Sequence, residues 1–292
     1  MLLSAPNFSE GRSERIVDAI GLTLGSHARL VNTHFDAAHN RSVFTICGEP
    51  RELEVALLAA ARHAVELIDL RGYQGLHPHI GALDVCPLIW VGEDDRAEAR
   101  GAALSVADGI GDLGIPVFLY GELASSESRR ERAWFRQGGP PALARRMESG
   151  ELEPDRGPDT PHPSAGATLV GARRPLVAFN LELDTPNPEI ARAVAESLRE
   201  AGGGREGVRA IGLPWHGDRS QVSINVHDPT SVRLAEVVAD VQRLAAEHGA
   251  RAVAAELVGL APEAALEGYP DDPPIRGFDP AQHVIEQVTG QR

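Results

Sequence analysis

Apolar positions along this chain switch between a helical rhythm and short alternating or unbroken runs, and the switches lay out its elements. Residues 13–25 carry Ile16, Ala19, Ile20 and Leu24 near one face, and 50–70 carry Leu53, Leu57, Ala60, Ala64 and Ile68. The second helix opens on Pro50, which suits a first helical turn. Residues 94–113 read as a helix ended by Gly109 and Gly111, and 187–201 as one ended by the glycines from Gly202. Over 231–249, Val232, Leu234, Val237, Val238, Val241 and Leu244 form another apolar face. Strand-like runs fall at 1–5, 29–36, 42–47, 80–91, 117–120, 176–183, 208–213, 221–226 and 253–260, with a break expected at Pro87. A turn at His39-Asn40 joins the second and third of these. Each half thus reads βαββαβ, which predicts an α+β fold of two split-βαβ units, each with helices on one side of a largely antiparallel sheet.

Residues 121–167 break the pattern. Arginines gather at Arg129, Arg130 and Arg132 and again at Arg145 and Arg146, then prolines at Pro154, Pro158, Pro161 and Pro163. Apart from a short helix at 140–147, so long an irregular segment reads as a binding loop or a linker. The tail resumes as a short helix at 280–288, capped by Asp279.

Composition narrows the function. A net charge of -14 argues against wrapping nucleic acid. All 28 basic residues are arginine, which excludes a lysine Schiff base and a P-loop lysine. No apolar run is long enough to span a membrane and no signal peptide is evident, so no membrane partner is expected. Two cysteines, Cys47 and Cys86, are too few for a disulfide framework and point to the cytoplasm.

Chemistry is expected in the stretch from Gly75 to Pro87. Pro78 stiffens the backbone after His77, and a histidine on a rigid turn can serve as a positioned proton carrier. Asp36 beside His77 would orient the ring and raise its basicity; the competing reading is that Asp36 and Asn40 only shape a turn. His77 and His79 flank a proline that disturbs strand geometry, and nearby residues lack a recognised ligand spacing, so no metal is expected. The absence of a Gly-x-Ser-x-Gly elbow disfavours a serine hydrolase, and Cys86 reads as a core thiol.

Several stretches together resemble the formimidoyltransferase family, meaning glutamate formimidoyltransferase and the transferase part of formimidoyltransferase-cyclodeaminase. They include Pro6-Asn7-Phe8-Ser9-Glu10-Gly11, Asn40-Arg41-Ser42-Val43, His77-Pro78, Gly81 to Pro87, Val117 to Glu122, Gly166-Ala167-Thr168, Gly171-Ala172-Arg173, Ala178-Phe179-Asn180, Gln221-Val222-Ser223 and Glu256 to Leu260. The resemblance implies two ferredoxin-like subdomains, 1–174 and 175–292, facing a shared groove, and a homodimer. It implies transfer of a formimidoyl group from N-formimidoyl-L-glutamate to tetrahydrofolate as co-substrate, in histidine degradation. His77 falls on the family's catalytic histidine, and the folate-binding stretch falls on 157–166, with Gly157, Pro158, Pro163, Ala165 and Gly166. Asp36 would orient His77. Asn7 and Asn40 would hydrogen-bond the amidine, and Arg41 and Arg173 would bind carboxylates through bidentate forks.

The chain departs from the family pattern within the pocket. His79, expected among the substrate-binding residues, stands where a basic residue is usual, Leu76 where an acidic one precedes the catalytic histidine, and Ala165 where an aromatic precedes Gly-Ala-Thr. Gly72-Tyr73-Gln74 replaces a run often rich in Arg and His. These changes leave two alternatives beside formimidoyl transfer. One is a relative acting on another formimidoyl, formyl or amidine compound, with hydrolysis included; the other is a non-catalytic folate binder.

Overall fold

The structure, a computed structural model, describes residues 1–290 and divides into two compact units, Met1–Arg173 and Arg174–Arg292. Among the described residues no helix is long and apolar enough to cross a membrane.

The first unit begins with an interrupted strand, β1 (Leu2–Ser4) and β2 (Asn7–Phe8), followed by α1 (Glu14–Gly25), β3 (Arg29–Asp36), β4 (Arg41–Gly48), α2 (Pro50–Leu67) and β5 (Leu83–Ile89). These form the expected βαββαβ set: β1 and β2 lie between β4 and β5 and are antiparallel to both, while β3 pairs with β4. α2 starts on Pro50 with a reciprocal capping box between Glu49 and Glu52. Its buried face is largely alanine, as is that of α3 (Arg96–Asp112), so the two helices can pack closely.

The sheet then extends beyond the expected set. β6 (Val117–Gly121), α4 (Arg132–Arg136), α5 (Gly139–Glu148) and β7 (Thr168–Arg173) follow, and β7 inserts in parallel between β5 and β6. The pattern reading misses β7 because Gly171 and Arg173 dilute a short strand that follows a proline-rich loop. The break expected at Pro87 is also absent. Leu3 and Ser4 pair with Ile89 and Leu88, and Asn7 pairs with Val85. Pro87 therefore faces the interruption at Ala5-Pro6, where no ladder N–H is required of it, and Ser4 Oγ donates to its carbonyl at 2.6 Å.

The second unit contains β8 (Val177–Leu183), α6 (Pro188–Leu198), β9 (Val208–Pro214), β10 (Ser220–Val226), α7 (Leu234–Ala246) and β11 (Ala252–Val258). Its antiparallel sheet has the order β11-β8-β10-β9. Phe179, Leu181 and Leu183 alternate inward to meet the apolar faces of α6 and α7. The tail carries α8 (Glu263–Leu266), α9 (Pro280–His283) and α10 (Ile285–Thr289), so the single tail helix expected at 280–288 is two short ones. Val284, between them, pairs with Ala261.

Candidate active site

The segment after α2 has no ladder of its own, and its position comes from side chains on the neighbouring strands. Asp84, near the start of β5, is fully buried. Its Oδ1 accepts from the Ile80 backbone N–H at 2.8 Å, which fixes the chain three residues beyond His77. Gly81 packs so closely on the Ala167 carbonyl that a Cβ would lie 1.8 Å from its oxygen, which excludes any other residue there. Ala167 N donates to Ile80 O and Ala82 N to Ala165 O, both at 2.9 Å, so the Gly166 turn and the His77 segment lie side by side.

A second anchor comes from the turn between β3 and β4. Asn40 adopts φ 49° and its Oδ1 accepts from Gly11 N at 3.0 Å. Tyr73 donates its hydroxyl to the carbonyls of His39 and Asn40, at 2.9 and 3.1 Å. Its ring packs on that of His79, with centroids 3.8 Å apart. Two departures from the family pattern are thus one contact, a clasp holding residues 73–79 to the turn. Gly75 has no room for a Cβ between Tyr73 Oη and the His39 carbonyl. Burial pushes the Tyr73 phenol up to about 12 and lowers His79.

Arginine fills the remaining side. Arg41 Nη1 donates to Asp84 Oδ2 at 2.9 Å, and its Nε and Nη2 donate to Asn7 Oδ1 at 3.1 and 2.8 Å. Arg136, on α4, forms a short contact to the same Asp84 oxygen, and its buried Nε has no partner. Burial alone would raise the Asp84 carboxyl, but the Arg136 and Arg41 guanidiniums outweigh it and hold the group well below the usual carboxylate range. Burial, opposed by Asp84 and reinforced by Arg136, brings Arg41 down to about 10. Arg132 stands 5.9 Å from the centre of the Tyr120 ring, and Arg173 also lies beside Tyr120. Burial lowers both guanidiniums, that of Arg173 to about 10.

His77 sits half-buried beside this group. Its Nδ1 is 2.7 Å from the Pro78 carbonyl oxygen, which can only accept, so Nδ1 carries the proton and Nε2 keeps its lone pair. Enclosure by the surrounding chain, followed by the charges of Arg41 and Arg136, lowers its pKa well below the ordinary histidine value. The ring is therefore neutral at neutral pH.

Asp36 does not take the place expected for it. Its Oδ1 accepts from the His39 backbone N–H at 2.7 Å and lies 3.0 Å from His39 Nδ1, and no hydrogen bond joins it to His77. The i,i+3 spacing on a tight turn favours the local partner. Burial raises the Asp36 carboxyl, but its bonds to His39 lower it more. The carboxylate acting electrostatically on His77 is Asp84. The His39 ring meets His77 edge-on, with centroids 6.3 Å apart.

Both Asn7 and Asn40 place their side-chain oxygens on the scaffold. In the expected folate stretch, Gly166 lies beside Gly81, whereas Gly157 packs on Ile115 and Gly111 with Pro158 next to it. Pro163 is exposed on the turn closed by His162 and Gly166, and the Ala165 methyl belongs to the core. Asp84, Arg136, Arg132, Tyr73 and His39 reach the site without having been assigned roles from sequence. Arg132 and Arg136 share one face only because the structure makes 132–136 a helix, which the segment's arginine- and proline-rich pattern did not announce.

Comparison with known families places this geometry. Residues 1–173 match the formiminotransferase domain, N-terminal subdomain, and residues 178–268 match the formiminotransferase domain. The chain belongs to the formiminotransferase family. It is 37% identical to glutamate formimidoyltransferase of Streptococcus pyogenes over 89% of both chains. Identity to glutamate formimidoyltransferase of Thermoplasma acidophilum is 32%, over 89% of this chain and 88% of that protein. It is 37% identical to formimidoyltransferase-cyclodeaminase of Rattus norvegicus, of which the match covers 50%. The chain thus spans about half the length of that longer relative. Within the formiminotransferase match, the N-terminal subdomain contains all the side chains assembled around His77.

Proposed function

We propose that this protein transfers a formimidoyl group from N-formimidoyl-L-glutamate to tetrahydrofolate, releasing glutamate in histidine degradation. The observation that carries the chemistry is the neutral His77 ring with its Nδ1 proton engaged and Nε2 available. In the reaction, nitrogen 5 of tetrahydrofolate attacks the amidine carbon and a tetrahedral intermediate forms. Nε2 takes the proton from the attacking nitrogen. The carbon bond to the glutamate nitrogen then breaks as the imidazolium delivers that proton to the leaving amine. A ring whose protonated form is disfavoured surrenders its proton readily, and such acid–base relay contributes roughly 10²–10⁴ in rate.

The guanidiniums supply the anion chemistry. Arg136 offers a buried N–H without a partner, and Arg41 has two N–H groups beyond its bonds to Asp84 and Asn7. These donors suit a carboxylate of the acidic substrate, and Arg173 with Arg132 would extend the same basic surface. Folate is assigned to the side bordered by Gly166, which lies against the His77 segment. Packing of His79 on Tyr73 gives those departures a structural reason and favours family chemistry over a changed substrate. We place the protein in the cytoplasm as a homodimer, in line with its family and its two unpaired cysteines.

Glutamate release from N-formimidoyl-L-glutamate should require tetrahydrofolate, and His77→Gln should abolish it with an unchanged thermal melt. Release without folate would instead support a hydrolase, and no release with both substrates would overturn the assignment.

A further inference from the structure

We propose that Asp84 is a positioning residue for this reaction: one oxygen fixes the segment that carries His77, and the other sets where Arg41 and Arg136 stand. The inference deepens the proposed transfer and rests on it. It begins from how completely the carboxylate is used. Oδ1 holds Ile80 N–H, and Oδ2 receives a guanidinium from β4 and another from α4. Three segments far apart in sequence therefore meet on one buried group. Neither guanidinium is exhausted by this contact, since Arg136 retains its unpartnered Nε.

The charges facing His77 are Arg41 on β4, Arg136 on α4 and Asp84 on β5, and the His39 ring on the turn meets it edge-on. His79, on the same segment, feels Asp84 and both arginines as well. The two cations disfavour imidazolium and Asp84 partly restores it. Asp84 thereby acts on His77 through the backbone and through charge, without touching the reacting atoms. A displacement of about 1 Å in such a group can cost roughly 10²-fold in rate.

The test uses Asp84→Asn and Arg136→Gln in the full chain. Asparagine keeps one oxygen for Ile80 and removes the charge between the guanidiniums. Folding is checked by circular dichroism and a cooperative melt, kcat and KM are measured for N-formimidoyl-L-glutamate, and His77 is titrated by nitrogen NMR. Asp84→Asn should lower kcat by roughly 10²-fold and move the His77 titration to lower pH, with Arg41 and Arg136 acting unopposed. Arg136→Gln should move that titration to higher pH and raise KM about tenfold, with a smaller change in kcat. A folded Asp84→Asn protein with wild-type kcat and an unmoved His77 titration would overturn the proposal. Should Asp84→Asn fail to fold, Arg136→Gln decides: unchanged titration and KM overturn it equally. If wild type shows no turnover, the transfer reading fails, while the NMR titrations still judge the role of Asp84.

Discussion

Each unit buries a carboxylate between two guanidiniums, and the two triads are built differently. In the second unit Glu182 accepts a full fork from Arg276, at 2.5 and 2.9 Å, and a third bond from Arg219 at 2.7 Å. The triad ties the tail to Glu182 on β8, and the Arg276 backbone N–H, bonded to Ala255 O at 2.9 Å, ties it to β11 as well. Its arginines reach solvent, with side chains 36% and 55% exposed, against 9% and 13% for Arg41 and Arg136. In the first unit the carboxylate divides itself between a backbone N–H and two forks that retain donors, with an imidazole in the same field. A closed fork with wet partners holds chain to chain. An open one beside a titratable ring can bind an anion and set a proton's preference.

The largest effect should come from exchanging neutral isosteres between the triads. Alongside the roughly 10²-fold kcat loss expected for Asp84→Asn, Glu182→Gln should leave kcat per folded molecule within about twofold of wild type. Its cost should appear in stability instead. Breaking a buried ion pair costs about 3–5 kcal/mol, and solvent around Arg219 and Arg276 reduces that to about 2 kcal/mol. Urea unfolding and single-turnover kinetics on the same preparations separate the two. A Glu182→Gln protein as slow as Asp84→Asn would erase the distinction between staple and site.

Most of the frame was legible because apolar periodicity reports burial, and both βαββαβ sets obey it. β7 escaped because both of its faces are buried, Val170 and Ala172 in one apolar cluster and Leu169 in another, so its six residues carry neither alternation nor length. His77 was legible from its proline and its motif. Its partners were not, since contacts such as Asp84 with Arg136, 52 residues apart, are set by tertiary packing alone. Proximity on a tight turn directed Asp36 to His39, a competition that pairing by residue type does not weigh.

Acid should sharpen the contrast through a smaller effect. The folded-state pKa of Asp84 lies below its unfolded value, near 3.9 in model peptides, so the unfolded chain binds the proton first as pH falls. The stability it contributes is present above that unfolded value and is lost progressively below it. Asp84→Asn should therefore show a flatter fall in urea-unfolding free energy than wild type from about pH 5 downward. Parallel curves would mean the guanidiniums do not stabilise the buried charge.

The turn beside His77 provides a graded comparison. Asp36→Asn loses the charge facing His39 but leaves the bonds of His77 untouched, so kcat should fall less than about tenfold. Tyr73→Phe removes one hydroxyl shared by two carbonyls, worth about 1 kcal/mol, and should lower kcat by only a few-fold. An Asp36→Asn loss as large as that of Asp84→Asn would restore Asp36 as the carboxylate that governs His77.

The smallest change is expected at Arg219. Removing it as Arg219→Gln leaves the Arg276 fork on Glu182 intact, and the lost bond belongs to a side chain already one-third in solvent. Such a contact is worth about 0.5 kcal/mol and weakens further with added salt. Its counterpart Arg136 occupies the same place in the other triad, yet its removal is expected to act on KM and on the His77 titration. Measured side by side, Arg219→Gln should shift the urea midpoint slightly and leave KM unchanged. A KM rise there matching that of Arg136→Gln would mean that anion binding does not depend on the open fork of the first unit.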